Sequence, residues 1–320
     1  MRLVNTMLFN KSAKFKAIIM SIAITSFGYL LFSLWVGLDG VILAISNVGW
    51  IGIFIILSLS LVNYGLRFLR WQLYLKVFGS SLIWLTSLKI YISGFALTAT
   101  PGKIGEAFRG ILLKPYGISY LNSFAAFFSE RLSDLFSIVI LTLFGFSIYP
   151  QSEIAVYMCL LLVALIFFVI SQKRIILFIL DFCQDKKSRF FDLIGYVFKI
   201  IFDARSCHAP KILFSATILS LIAWAAEAYA LFLILYWMGL DISLEFAFFI
   251  YAISMLVGAI SFMPGGLGGA EAIMITLLLW KGASSTEAVA ATILIRSTTL
   301  WFAIALGCIT LLFNRKKLIH

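Results

Sequence analysis

Eight charged residues stand in stretches of sequence too apolar to hydrate them: Glu106, Arg109, Glu130, Arg131, Asp134, Glu227, Glu271 and Arg296. At membrane depth each such charge costs about 2.5–3.5 kcal/mol on insertion scales, so these groups face a cavity or one another. Glu227 falls near the middle of one apolar run and Arg296 well inside another, too deep for either to snorkel. They read either as ion pairs that lock helices together or as a site for a substrate or a proton. Their gathering near two breaks in the apolar sequence favours the site.

The breaks are Pro101-Gly102-Lys103-Ile104-Gly105-Glu106 and Pro264-Gly265-Gly266-Leu267-Gly268, the second followed by Glu271. Proline removes a backbone donor and glycine permits unusual dihedrals, so a helix stops at each. A helix that restarts at depth offers free N–H groups and the positive end of its dipole, which together attract anions. Lys103, Arg109, Arg131 and Arg296 add positive charge, and a phosphate head group is the natural ligand. The two motifs also keep one interval: residue 131 follows 106, and 296 follows 271, by 25 positions, each an arginine after a glutamate. Such an arrangement brings acids and bases from both parts of the chain to one cavity. Glu227 or Glu271 is the expected partner of Arg296.

Other chemistry is excluded or unsupported. The only histidines are His208 and His320, which gives no triad and no metal cluster. No Walker spacing is present, so no nucleotide site is expected, nor any cofactor. The cysteines (Cys159, Cys183, Cys207, Cys308) form no C-x-x-C pair and read as packing residues.

The elements that must position these residues follow from composition. The 320 residues are 62% hydrophobic and only 12% charged, with mean hydropathy +1.07. Apolar runs of about 20 residues, long enough to cross the hydrocarbon core, recur without the alternation of a barrel. They predict full spans at 17–37, 48–66, 132–149, 154–171, 212–238 and 287–313. Two further stretches, 82–114 and 246–281, are interrupted by the Pro-Gly motifs. The first restarts as a short helix near 104–114 and the second near 269–281.

Charge placement sets the topology. Basic residues cluster before the first run (Arg2, Lys11, Lys14, Lys16), at the end (Arg315, Lys316, Lys317) and in a central loop from Lys173 to Lys211. The loops near Asp39, Tyr149–Glu153 and Asp241–Glu245 contain none. The positive-inside rule then puts both termini and the central loop in the cytoplasm. On this accounting 82–131 begins and ends inside and 246–287 begins and ends outside, which predicts two re-entrant helical hairpins from opposite faces. The fold expected is an all-α polytopic membrane protein built as an inverted-topology repeat. Residues 1–171 hold the first repeat and the opening span of the second, 172–211 a basic amphipathic loop, and 212–320 the rest.

Within that loop, Asp192, Gly195, Lys199 and Asp203 share a helical stripe, so 190–205 reads as a helix lying on the leaflet or packed on the protein. Arg67-Phe68-Leu69-Arg70-Trp71 reads either as positive-inside anchors with an interfacial tryptophan or as a contact with lipid phosphate.

These motifs have a resemblance. The Arg70-Trp71 pair, Pro101-Gly102-Lys103-x-Gly105-Glu106-x-x-Arg109, Glu130-Arg131-x-x-Asp134, Glu227, Pro264-Gly265-Gly266-x-Gly268-x-x-Glu271 and Arg296 together resemble the lysylphosphatidylglycerol synthetase transmembrane, flippase-like family. The resemblance covers nearly the whole chain. It implies translocation of a phosphate-bearing lipid, aminoacylated or polyprenyl-linked, between leaflets of the inner membrane. The cavity it implies is lined by Glu106, Arg109, Arg131, Glu227, Glu271 and Arg296. Synthesis of lysyl-phosphatidylglycerol is not expected, because the aminoacyl-transferase domain of such synthases has no counterpart before His320. The partner expected is a membrane lipid with an anionic head group and not nucleic acid. A lipid-synthesising enzyme, a glycosyltransferase or a second copy are the candidate protein partners, and a non-catalytic accessory subunit is the rival reading. The extra Gly269-Ala270 before Glu271 makes the two tips unequal.

Overall fold

A computed structural model describes residues 28, 38–100, 106–146, 158, 161, 165, 168, 172–184, 188–261 and 263–319. Among them every regular element is helical. The chain runs through α1 (Leu38–Val77), α2 (Trp84–Phe95), the short α3 (Arg109–Leu113) and α4 (Tyr120–Phe146). Two helices follow in the central loop, α5 (Lys173–Gln184) and α6 (Arg189–Ala204). The second part comprises α7 (Pro210–Trp237), α8 (Leu244–Ile260), α9 (Gly269–Trp280), α10 (Ser285–Arg296) and α11 (Phe302–Ile319). A π-helical turn, Ser297–Trp301, joins the last two.

Local sequence explains the boundaries. Pro210 stands in the first turn of α7, where its missing N–H costs nothing. Ser243 caps α8 by accepting from the Phe246 amide. Ser284 and Glu287 form a reciprocal capping box that starts α10. Gly79 and Gly239 end α1 and α7 in the left-handed region, at φ 74° and 79°. The bonds there repeat at a constant offset: Gly79 to Lys76 and Ser80 to Leu75 in one, Gly239 to Tyr236 and Leu240 to Leu235 in the other.

Among the described residues three apolar helices are long enough to cross a membrane: Gly40–Val77, Pro210–Trp237 and Ser285–Phe313. They contain the expected spans at 48–66 and 287–313 and all but the last residue of that at 212–238. The expected span at 132–149 is the C-terminal part of a helix that starts at Tyr120. That at 17–37 lies outside the described residues apart from Gly28, and in 154–171 the described positions Met158, Leu161, Leu165 and Phe168 are helical and exposed. Helix α1 runs well beyond 48–66 on both sides, with a non-helical Gly49 at φ 67°. The short helix expected near 104–114 is the five-residue α3. The central loop holds two packed helices rather than one.

Helices α2 and α9 have 12 residues each, a rise of about 18 Å, which is short of the roughly 30 Å hydrocarbon core. Helices pack across onto the other part of the chain, α8 on α4 and α2 on α11. Helices α1 and α7 pair along the centre, where Asn63 Nδ2 donates to the Ala223 carbonyl at 2.8 Å. The approach of α11 to the end of α2 is so close that a Cβ on Gly307 would lie 2.2 Å from the Ala96 nitrogen. Outward faces are apolar, for example Ile51, Phe54 and Leu61 on α1 and Phe214, Ile218 and Ile222 on α7. Hydrocarbon is the solvent such faces require.

Candidate functional site

The second Pro-Gly motif is the break the sequence predicts. Pro264–Gly266 forms a single 3-10 turn, with Gly265, Gly266 and Gly268 at φ 64°, 70° and 83°. The first motif, including Pro101, Gly102, Lys103 and Gly105, lies outside the described residues. Its approach is described, and it meets the second turn: a Cβ on Gly265 would sit 3.7 Å from the Ala99 Cα. Ala99, Leu300 and Ile304, with Leu267, form a small apolar cluster at this junction.

Around the first hairpin, one carboxylate gathers three guanidinium groups. Asp134 Oδ1 accepts from Arg70 Nη1 at 2.7 Å and from Trp224 Nε1 at 3.0 Å. Its Oδ2 faces Arg131 at 3.2 Å and Arg67 at 3.5 Å. Arg131 also reaches Glu106 Oε2 at 3.3 Å, and Thr98 donates to Glu106 Oε1 at 3.0 Å. Arg109 donates to Glu130 at 2.5 Å, with its guanidinium over the rings of Tyr91 and Trp71. Except for Arg131, which is 24% exposed, all these charged side chains are buried.

The second hairpin has fewer charges. Arg296 Nε donates to Glu271 Oε1 at 2.7 Å and its Nη2 to the Gly265 carbonyl at 2.6 Å. Tyr251 donates to Glu227 at 2.5 Å. Glu271 occupies the first turn of α9, so the positive end of that helix already has a carboxylate beside it.

The arrangement corrects one reading. Arg67, Arg70 and Trp71 are not exposed anchors: all three are buried inside the bundle, and α1 continues past them to Val77. Arg70 is fully enclosed and held by Asp134 and the Ser220 hydroxyl.

Between the two parts lies a small cleft of about 40 Å³, narrower than a small-molecule site of several hundred Å³. Its charged wall residues are Arg67, Glu106, Glu227 and Arg296, and its aromatic ones include Tyr64, Trp224 and Tyr251. Glu106, Glu227 and Arg296 were expected from the sequence. Arg109, Glu130 and Asp134 stand behind the wall as partners of lining groups. Arg67, read from the sequence with Arg70 and Trp71 as an anchor or a contact with lipid phosphate, lines the cleft as well, and its buried Nε has no hydrogen-bond partner among the described residues.

A signal for Arg67 did exist. The turn at Gly79 recurs at Gly239, an offset of 160, and the same offset carries Tyr64 to Trp224, Arg67 to Glu227 and Tyr91 to Tyr251. Beyond the Pro-Gly motifs the offset is 165: Gly117 and Gly282 both have positive φ, and Ser119 and Ser284 both accept from the amide three residues on. At this offset Glu106 and Arg131 correspond to Glu271 and Arg296, and both pairs are bonded. Among the described residues no group of His, Cys, Asp and Glu is placed to hold a metal.

A helical bundle with membrane-length apolar helices, buried ion pairs and a charged internal cleft defines a membrane protein. The sequence profile of the lysylphosphatidylglycerol synthase transmembrane region matches residues 18–307, and the chain belongs to that family. It is similar to a UPF0104 membrane protein of Pyrococcus horikoshii, 26% identical over 281 residues that cover 78% of this chain and 83% of that one. Over a shorter stretch of 89 residues it is 34% identical to a UPF0104 membrane protein of Methanothermobacter thermautotrophicus, covering 28% of this chain and 26% of the other.

Proposed function

We propose that the protein moves a phosphate-bearing lipid between the leaflets of the inner membrane by alternating access, without an enzymatic step of its own. The observation that carries this reading is the cleft itself. It lies between the two related parts of the chain, takes charged residues from both, and sits among helices whose outer faces suit lipid. In the proposed cycle the hairpins are re-entrant from opposite faces, and the two parts rock about the paired helices α1 and α7. The head group passes through the cleft while its acyl chains remain in lipid.

The test is leaflet exchange of a fluorescent phospholipid in proteoliposomes, with Glu106→Gln and Glu271→Gln beside the wild type. Wild-type protein is expected to accelerate exchange, and both substitutions to slow it by about tenfold or more while melting temperatures stay near normal. If both variants fold and exchange lipid at the wild-type rate, the carboxylates are structural and an accessory subunit is the better description.

Orientation has its own check. Both termini and the α5–α6 hairpin are placed in the cytoplasm on the Lys/Arg asymmetry of the loops. A cysteine introduced at Ser188, an exposed position, should resist an impermeant maleimide in intact cells and react after lysis. Efficient labelling from outside would overturn this topology.

A further inference from the structure

Helices α5 and α6 have 12 and 16 residues, a rise of about 18 and 24 Å, so neither crosses a hydrocarbon core of about 30 Å. Each turns only part of its apolar surface to the protein. On α5, Ile176 and Cys183 are buried, while Ile175, Phe178 and Phe182, spaced i, i+3 and i+7, are exposed. On α6, which packs on α4 and α5, Phe190, Leu193 and Val197 repeat that spacing and are exposed as well. The two stripes adjoin, since the Phe191 ring lies 5.9 Å from that of Phe182 and 5.7 Å from that of Phe190. Phe178 is 71% and Phe190 65% exposed, and large apolar side chains exposed together mark an interaction surface. The exposed charges of α6, Asp192 and Lys199, fall about 140° around the helix from its stripe.

From this we infer that the α5–α6 hairpin is a docking surface for an anionic phospholipid leaflet. Its apolar stripes enter the acyl boundary while basic side chains meet the head-group phosphates. Two observations choose this occupant. The first is charge: Lys173, Arg174, Lys186, Lys187 and Arg189 stand against two acids over 173–189, Asp181 and Asp185. Lys173 and Arg174, at the start of α5, are exposed. The second is position. Only the turn Arg205–His208 and Ala209 separate α6 from α7, a helix of membrane length. The hairpin therefore lies where the chain enters the bilayer, and a leaflet surface is the phase within its reach. The inference does not depend on lipid transport, because an accessory subunit would seat the hairpin in the same way.

The experiment reconstitutes the full chain in nanodiscs of equal parts phosphatidylcholine and phosphatidylglycerol. The photo-crosslinking residue p-benzoylphenylalanine is placed at position 178 or 193, and at 192 as a control. After irradiation the mass of the adduct identifies what each position touches. Positions 178 and 193 should capture phospholipid, and position 192 little. Phosphatidylglycerol should be captured about threefold more often than phosphatidylcholine, and the excess should fall in Lys173→Gln with Arg174→Gln and at high salt. Capture of a second copy of the chain at 178 and 193 would make the patch an interface between copies and overturn the inference. Capture of both lipids alike would overturn the anionic leaflet as its occupant. The unmodified protein supplies a reading that needs no variant. Residues 173–204 should exchange amide hydrogens more slowly when phosphatidylglycerol is present, and equal exchange in pure phosphatidylcholine would overturn the inference as well.

Discussion

Replacing Arg109 with methionine is expected to destabilise the folded protein by about 3–5 kcal/mol, and adding Glu130→Ile to restore most of that loss. The choice of residues comes from the protein itself. At the offset of 165 the counterparts of Arg109 and Glu130 are Met274 and Ile295, both buried. The second half thus has two apolar residues where the first has a buried ion pair. Removing the arginine alone leaves the Glu130 carboxylate enclosed at 1% exposure without its guanidinium. Removing the glutamate alone is milder, because Arg109 keeps Glu106 at 3.7 Å and its ring contacts with Trp71 and Tyr91. Unfolding in detergent, followed by tryptophan fluorescence, gives the four stabilities of the cycle. A double variant as unstable as the sum of the singles would show that the two side chains do not act as a unit.

The same comparison shows what the sequence revealed and what it hid. The fold class was legible because apolar runs of membrane length have few other uses, and the second helix break because Pro264 and three glycines leave little choice. The recurring interval singled out Glu106 with Arg131 and Glu271 with Arg296, although the partner of Arg296 stayed open between Glu227 and Glu271. The burial of Arg67 was hidden for a physical reason. A basic residue at the end of an apolar run looks like an interfacial anchor, and only tertiary packing shows that α1 continues for another ten residues beyond it. Arg70 was misplaced for the same reason, since the carboxylate that holds it lies on α4, 64 residues further on. The N-terminal extent of α4 was missed because its first two turns are polar and mixed, so hydropathy alone placed its start near Leu132. The capping box at Ser284–Glu287 fixes the start of α10 through local side-chain bonds that hydropathy does not register.

Arg296→Ala should cost more stability than Arg131→Ala, although the two arginines correspond. Arg296 is almost wholly enclosed, and two of its bonds tie a carboxylate on α9 and a backbone carbonyl of the turn to α10. The alanine variant leaves Glu271 buried with both oxygens short of donors, since Oε2 has no hydrogen-bond partner even in the intact protein. Breaking such a pair costs about 3–5 kcal/mol. Arg131 is partly exposed, and both of its partners have other support: Glu106 keeps Thr98 and Arg109, and Asp134 keeps Arg70 and Arg67. Its loss should cost about 1 kcal/mol. Adding Glu271→Gln to Arg296→Ala removes the stranded charge and should recover part of the stability. Hydrogen exchange supplies a local readout. Freed of its bond to Arg296, the turn at Pro264–Gly268 should exchange faster in Arg296→Ala and unchanged in Arg131→Ala. Equal destabilisation by the two substitutions, with no change in exchange at the turn, would mean that Arg296 does not hold the second hairpin in place.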